Sequence, residues 1–293
     1  MMDTTRRLGV ALALLMAGSL AVAGPHQEPT FRAHTNLVRL DVLVVRNGRP
    51  VPNLTAADFE VRDNGVVQQI DHVSFEKTPL DAMLVLDTSR SVAGATLRHL
   101  REASHAFLDG LSGADRAGLF TFSESIAMGN DLTTDLARVH AAIDRVRPRG
   151  ATSLHDAMHA ALLWPTRTEA RPLIVVFSDG MDTVSWLGPE ETTDTARASD
   201  AVVYGVAIGS AADVEHVLKR VVEATGGRLL DAGSSQRLRN VFVEILNEMK
   251  ARYLVSYYPQ PTPSEGWHDV RVSLKRGRGE IIVRKGYNVP SRP

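Results

Sequence analysis

Three stretches of this sequence are apolar at consecutive positions: Met83–Leu86 (MLVL), Leu173–Phe177 (LIVVF) and Val202–Ile208 (VVYGVAI). A strand with one face in water alternates apolar and polar residues. A strand apolar throughout is covered on both faces, as in a parallel sheet lying between layers of helices. Between and around these runs the apolar residues recur with helical spacing, at about 92–111, 135–146, 153–163, 190–198, 213–224 and 235–251, with further short strands at 117–122 and 228–231. Strand and helix alternating in this way predict a doubly wound, mostly parallel α/β domain over residues 79–251.

The flanks read differently. In the segment 24–78, Val38, Leu40, Val42 and Val44 alternate with Arg39, Asp41 and Leu43, the period-two signature of a half-buried strand. Asn47-Gly48 and Asn64-Gly65 are hairpin turns, because both residues tolerate positive φ. A strand resumes at 58–61, and residues 66–75 read as a single returning strand. In the segment 252–293, Tyr253, Val255 and Tyr257 share one face, as do Val270, Val272 and Leu274. A two-stranded hairpin is marginal in water. The two flanks are therefore expected to pair into one accessory β module, with the α/β domain inserted between them.

Ligands of open α/β sheets bind beyond the carboxyl ends of the strands. The first long strand ends in Asp87-Thr88-Ser89-Arg90-Ser91, a D-x-S-x-S. The loop before the helix at 153 reads Gly150-Ala151-Thr152, and the strand 173–177 ends in Ser178-Asp179-Gly180. Asp87, Ser89, Ser91, Thr152 and Asp179 supply two carboxylates and three hydroxyls, hard oxygen donors that suit Mg²⁺, Mn²⁺ or Ca²⁺ rather than zinc. Each piece also has an ordinary structural reading: Ser91 as the cap of the following helix, and Ser153 with Asp156 as a capping box.

Taken together, the D-x-S-x-S, the Gly-x-Thr loop and the later Asp resemble the metal-ion-dependent adhesion site of von Willebrand factor type A (VWA) domains. The resemblance implies that Ser89, Ser91 and Thr152 touch the metal. It implies that Asp87 and Asp179 act mainly through waters or hydrogen bonds, and that an Asp or Glu carboxylate of a partner protein completes the ion's coordination. Arg90 and Val92 stand where many such sites have Gly and Met. LTAADFEVRDNGVVQQI (54–70), YLVSYYP (253–259) and VRKGY (283–287) resemble the VWA-related proteins of acidobacteria and their relatives.

Residues 1–23 carry Arg6 and Arg7, an uncharged run from Leu8 and an Ala21-Val22-Ala23 cleavage pattern, which together read as a secretory signal peptide. Export to the periplasm or beyond the cell is therefore expected, and no later run is long enough to span a bilayer. The chain has no cysteine and a net charge of −1, so it offers neither thiolate chemistry nor an electrostatic case for nucleic acid. Nucleotide-binding glycine motifs and the G-x-S-x-G elbow are missing. His155 and His159, at helical i and i+4, resemble a degenerate zinc-protease motif that lacks a third ligand. Asp182 reads as a solvated loop carboxylate. The expected function is that of a binding module, with a metal-dependent hydrolase built on His155 and His159, or an envelope protein with a vestigial site, as the alternatives.

Overall fold

The computed structural model describes residues 37–75, 78–208, 212–261 and 264–289, with the side chains of 212–217 left aside. The signal segment lies outside the described residues. The N-terminal flank forms β1 (Val38–Arg46), β2 (Arg49–Pro50), β3 (Phe59–Asp63), β4 (Val66–Gln68) and β5 (Ile70–Ser74). The central region runs β6 (Leu80–Asp87), α1 (Ala95–Asp109), β7 (Arg116–Phe122), β8 (Ile126–Thr133), α2 (Leu136–Arg145), α3 (Leu154–Leu162), β9 (Arg171–Ser178), α4 (Pro189–Ala198), β10 (Val202–Ala207), α5 (Ala212–Thr225), β11 (Leu229–Asp231) and α6 (Leu238–Lys250). The C-terminal flank forms β12 (Tyr253–Tyr257), β13 (Gly266–Leu274), β14 (Glu280–Ile282) and β15 (Gly286–Val289).

The central sheet has the order β11-β10-β9-β6-β7-β8, parallel except for β8. Its two faces explain the consecutive apolar runs. Leu80, Ala82, Leu84 and Leu86 of β6 point into a core with Leu100 and Phe107 of α1, Val139 of α2 and Phe242 of α6. Met83 and Val85 point the other way, onto Leu154 and Met158 of α3 and Val221 of α5. Every residue of β6, β9 after Pro172, and β10 is buried. Truncating one such large side chain, Phe177 for example, would cost about 3–5 kcal/mol.

β8 is a strand that the sequence does not announce. Gly129, Asn130 and Asp131 interrupt it, most of it is at least partly exposed, and its register with β7 shifts twice. An irregular edge strand buries too little to show a period.

The flanks form two antiparallel sheets, β14-β1-β12-β5 with β2 beside β1, and β15-β13-β3-β4. Val38, Leu40, Val42 and Val44 pack with Phe59, Val61, Tyr253, Val255, Tyr257, Val270 and Tyr287 in a third core. Asn47 and Asn64 have positive φ and close the β1–β2 and β3–β4 hairpins. The stretch 66–75 is not one strand. It breaks at Gln69, so that β4 joins β3 in one sheet and β5 joins β12 in the other. Beside the break, Gln68 bonds the backbone of Gln260 through both ends of its amide, at 2.9 and 2.7 Å. No helix among the described residues is long and apolar enough to cross a membrane.

Candidate metal centre

In the central sheet the chain leaves β6 towards β7 and later returns on the other side of β6 as β9. The carboxyl ends of β6 and β9 therefore flank the point where the winding reverses, where such sheets open a crevice. Asp87 ends β6 and is fully buried. Its Oδ1 accepts the backbone N–H of Ser89 at 2.8 Å, and its Oδ2 accepts the hydroxyl of Ser178 at 2.7 Å. Ser89 Oγ lies 2.9 Å from Ser91 Oγ, whose hydroxyl donates to Asp179 Oδ1 at 2.7 Å. Thr152 closes the group from the third loop: a side chain at Gly180 would place its Cβ 3.9 Å from both Ser91 Oγ and Thr152 Oγ1. Four of the five candidate residues thus form one hydrogen-bonded chain, with the fifth hydroxyl beside it. Ser178, which the sequence reading passed over, is the side chain that orients Asp87.

The loops are fastened to each other by their backbones. Arg149 N–H donates to Thr88 O at 2.7 Å, Arg90 N–H to Gly150 O at 3.3 Å, and Thr183 and Val184 N–H to Thr152 O at 2.8 and 3.2 Å. Gly150 has φ +64°, a backbone conformation that L side chains rarely adopt, so this corner of the Gly-x-Thr loop favours glycine. The hydroxyls are therefore held in place rather than gathered at binding.

The helix-capping readings do not hold. Ser89–Val92 turn through a 3₁₀ segment, and α1 begins later, with Gly94 as its N-cap and no side-chain cap bond. Ser153 precedes α3 but makes no cap bond, and Asp156 instead accepts the N–H groups of Trp186 and Leu187 at 3.0 and 2.9 Å. The first turn of α3 is capped from outside: Asp182 accepts His155 N–H at 3.0 Å and Ser185 Oγ accepts Asp156 N–H at 3.2 Å. Asp182 is therefore a tertiary cap rather than a solvated loop carboxylate. His155 and His159 face α4, where their Nδ1 atoms lie 3.3 Å from Thr192 Oγ1 and 2.9 Å from Thr195 Oγ1. Burial lowers the pKa of His155, as expected of an imidazole packed between helices. Among the described residues no three His, Asp or Glu side chains converge on a point that could hold a metal.

Burial raises the pKa of Asp87, and the neighbouring Asp179 raises it further against the hydrogen bonds from Ser89 and Ser178. Burial likewise raises that of Asp179, opposed by the Ser91 hydroxyl. Buried Asp87 and half-buried Asp179 are held by hydroxyls and an amide, and among the described residues no arginine or lysine bonds either one. The donors fit a hard cation. Oxygens adjacent on an octahedron around Mg²⁺, each about 2.1 Å from the ion, lie about 3 Å apart, close to the spacings from Ser89 through Ser91 to Asp179.

Residues 82–181 match the family model of the von Willebrand factor type A domain. The chain is 23% identical over 278 residues to bovine inter-alpha-trypsin inhibitor heavy chain H4, covering 88% of this chain but 29% of that protein. It thus spans under a third of that relative's length. Among solved structures, a von Willebrand factor type A protein from Catenulispora acidiphila superposes with a TM-score of 0.55 at 13% identity, over 84% of this chain and 75% of that one. Proximal thread matrix protein 1 of the mussel byssus, in a structure whose metal-ion-dependent adhesion motif holds zinc, superposes with a TM-score of 0.53 at 15% identity, over 64% and 49%. At such identities these superpositions speak to the fold alone. The matched segment contains β6, β7 and β9 and all five residues of the cluster, and this chain carries a von Willebrand factor type A domain.

Proposed function

We propose that the cluster binds a hard divalent ion, Mg²⁺ or Mn²⁺ with Ca²⁺ as the larger alternative, and that the ion docks an acidic side chain of a partner protein. Ser89, Ser91 and Thr152 would hold the ion directly, while Asp87 and Asp179 supply its countercharge and orient the hydroxyls. The observation that carries this reading is the run of three oxygens, Ser89 Oγ, Ser91 Oγ and Asp179 Oδ1, spaced at 2.9 and 2.7 Å beside the buried Asp87, neither carboxylate having a cationic partner among the described residues. A site rich in neutral hydroxyls leaves much of a dication's charge unbalanced, and a carboxylate from outside is the natural complement.

The surroundings favour a protein as that complement. On the loop after Asp179, Met181, Val184 and Trp186 are exposed apolar side chains, and Trp186 is 96% exposed. This loop is pinned to α3 and to Thr152 by eight hydrogen bonds through Thr183, Val184, Asp182, Ser185, Trp186 and Leu187. An exposed tryptophan on a fixed loop beside a charged centre suits an interface in which an apolar anchor accompanies one polar contact. The leader-like pattern of residues 1–23 supports docking outside the cytoplasm, in the periplasm or beyond the cell.

The reading is tested by Mn²⁺ binding, followed by electron paramagnetic resonance, and by retention of partners from envelope extract with and without chelator. One tight Mn²⁺ per chain, displaced by Mg²⁺ and lost in Asp179→Ala, is expected, with chelator releasing the partner. No Mn²⁺ uptake by the full chain, or partner retention indifferent to chelator and to Asp179→Ala, would reject it.

A further inference from the structure

On the face of the domain formed by α1 and α2, two histidines meet head-on. His105 Nδ1 lies 2.6 Å from His140 Nδ1. The ring centroids are 4.8 Å apart and the planes differ by 13°. The gap between the centroid distance and the nitrogen distance is about two ring radii, so the nitrogens lie on the line joining the rings. The rings are nearly coplanar and meet edge to edge, with the two Nδ1 positions facing each other. Each outer nitrogen has a carboxylate: His105 Nε2 lies 2.9 Å from Asp144 Oδ1, and His140 Nε2 lies 3.5 Å from Asp109 Oδ1.

This arrangement has a chemical consequence. A carboxylate on Nε2 keeps the proton there, which makes Nδ1 a bare lone pair. Two such lone pairs cannot face each other at hydrogen-bond distance without a cation between them. Moving one proton inward to Nδ1 would turn a bare Nε2 towards a carboxylate. For His140 that costs little, because Asp109 stands 3.5 Å away with its side chain 72% exposed, so the gap between the rings is filled either by a His140 Nδ1–H donated to His105 Nδ1 or by a metal ion.

We infer that His105 and His140 form a second metal site, for a borderline transition ion such as Zn²⁺ or Cu²⁺, independent of the hydroxyl cluster. Imidazole suits these ions, and a carboxylate on the far ring nitrogen is the usual outer partner of a metal-bound histidine, fixing its tautomer and raising its basicity. Here His105 carries one in Asp144, and Asp109 stands 3.5 Å from the outer nitrogen of His140. Asp109 and Asp144 lie on the outer nitrogens and do not converge with the imidazoles, so water would complete the shell. Zinc–nitrogen bonds of about 2.0–2.1 Å at a tetrahedral angle set the nitrogens about 3.3 Å apart. The nitrogens need part by less than 1 Å from their present 2.6 Å, and each ring must tilt by about 35° so that its lone pair turns from the other ring towards the ion. Both imidazoles are partly exposed, at 28% and 30%, so an ion reaches them from solvent. The metal would staple α1 to α2.

Zinc is titrated into the full chain with Mg²⁺ saturating, and into Asp179→Ala. In both, Zn²⁺ binding that weakens at least tenfold with His105→Gln or His140→Gln is expected, and about tenfold with Asp144→Asn, as for other outer partners of metal-bound histidines. On the wild-type chain alone, Zn²⁺ should shift the ring resonances of two of the ten histidines. Equal Zn²⁺ affinity in the wild type and both histidine variants, or ring shifts at other histidines only, would overturn the assignment. So would ring resonances of His105 and His140 that respond to acid but not to Zn²⁺, which would leave a shared proton between them.

Discussion

Asp81 opens β6 and Asp87 closes it, both fully buried, and the fold treats them in opposite ways. Asp81 receives Arg116 through Nε at 2.9 Å and Nη2 at 2.5 Å, and Arg167 through Nε at 3.0 Å and Nη2 at 2.7 Å. Burial alone would raise its pKa, but the hydrogen bonds from these arginines outweigh it and hold the carboxyl below its usual range. Asp87 receives serine hydroxyls and an amide rather than arginines, so burial, helped by the facing Asp179, raises its pKa. The same pattern continues along each edge. At the amino-end edge Arg171 pairs with Asp41, and Arg252 donates to Tyr204 Oη and Asp41 O, tying the α/β domain to the flanking β1. At the carboxyl-end edge the acids have hydroxyls for company. A carboxylate matched by arginines is a structural fastening. One matched only by hydroxyls leaves a place for a cation.

The largest effect expected to test this contrast is Asp81→Asn, which strands two guanidinium groups. It should cost about 2–4 kcal/mol in urea unfolding, less than a fully buried pair because both arginines reach solvent. Asp87→Asn in metal-free protein should cost about 1 kcal/mol, the worth of weakened neutral hydrogen bonds. Equal losses would break the comparison. The Asp81 contribution also has a pH signature. Its folded pKa is depressed, so the stability it contributes is present above the unfolded value of about 3.9 and is lost as pH falls through the folded value. Urea midpoints taken from pH 6 down to pH 2.5 should fall less steeply in Asp81→Asn than in the wild type.

Metal should act on the other edge alone. At 100-fold excess over its dissociation constant, Mg²⁺ should stabilise the wild type by about 2.7 kcal/mol and leave Asp87→Ala and Asp179→Ala unmoved. A melting temperature unchanged at millimolar Mg²⁺ in the wild type would remove the functional half of the contrast.

Thr152→Ala separates binding from folding more finely. The Thr152 backbone, not its side chain, carries the bonds to Thr183 and Val184. Its metal-free stability should therefore stay within about 0.5–1 kcal/mol of wild type, while chelator-sensitive partner binding weakens; outright misfolding would show the hydroxyl to be structural. The smallest stability effect is expected of Trp186→Ala, within about 0.5 kcal/mol because the ring is almost wholly in water. Partner affinity should nonetheless drop by tenfold or more if the ring is an anchor of the interface. Unchanged affinity would confine recognition to the metal.

Much of this was legible in the chain itself. A run such as LIVVF has no polar face to spare and is short and β-branched, which fits a strand covered on both sides, and three such runs separated by helical spacing point to a doubly wound sheet. Asp87, Ser89, Ser91 and Asp179 could be singled out as candidates because ligand-bearing loops follow the carboxyl ends of such strands, and strand ends are readable, whereas Thr152, between α2 and α3, is reached only through the resemblance. What local pattern could not carry is anything set by residues distant along the chain. β8 hides because an edge strand owes its existence to β7 rather than to its own period. Residues 66–75 are alike in composition, yet β4 and β5 part into different sheets, beside an amide that grips Gln260. The helix-cap signals at Ser91, Ser153 and Asp156 are sound as local chemistry, but Asp182 and Ser185 arrive from another loop and take the place at α3. Whether a buried aspartate meets arginine or serine is likewise invisible from its neighbours in sequence, since Arg116, Arg167 and Ser178 all come from elsewhere in the fold. Periodicity and strand ends are short-range properties that a sequence states outright. The partner of each charge is a long-range property, and only the packed chain decides it.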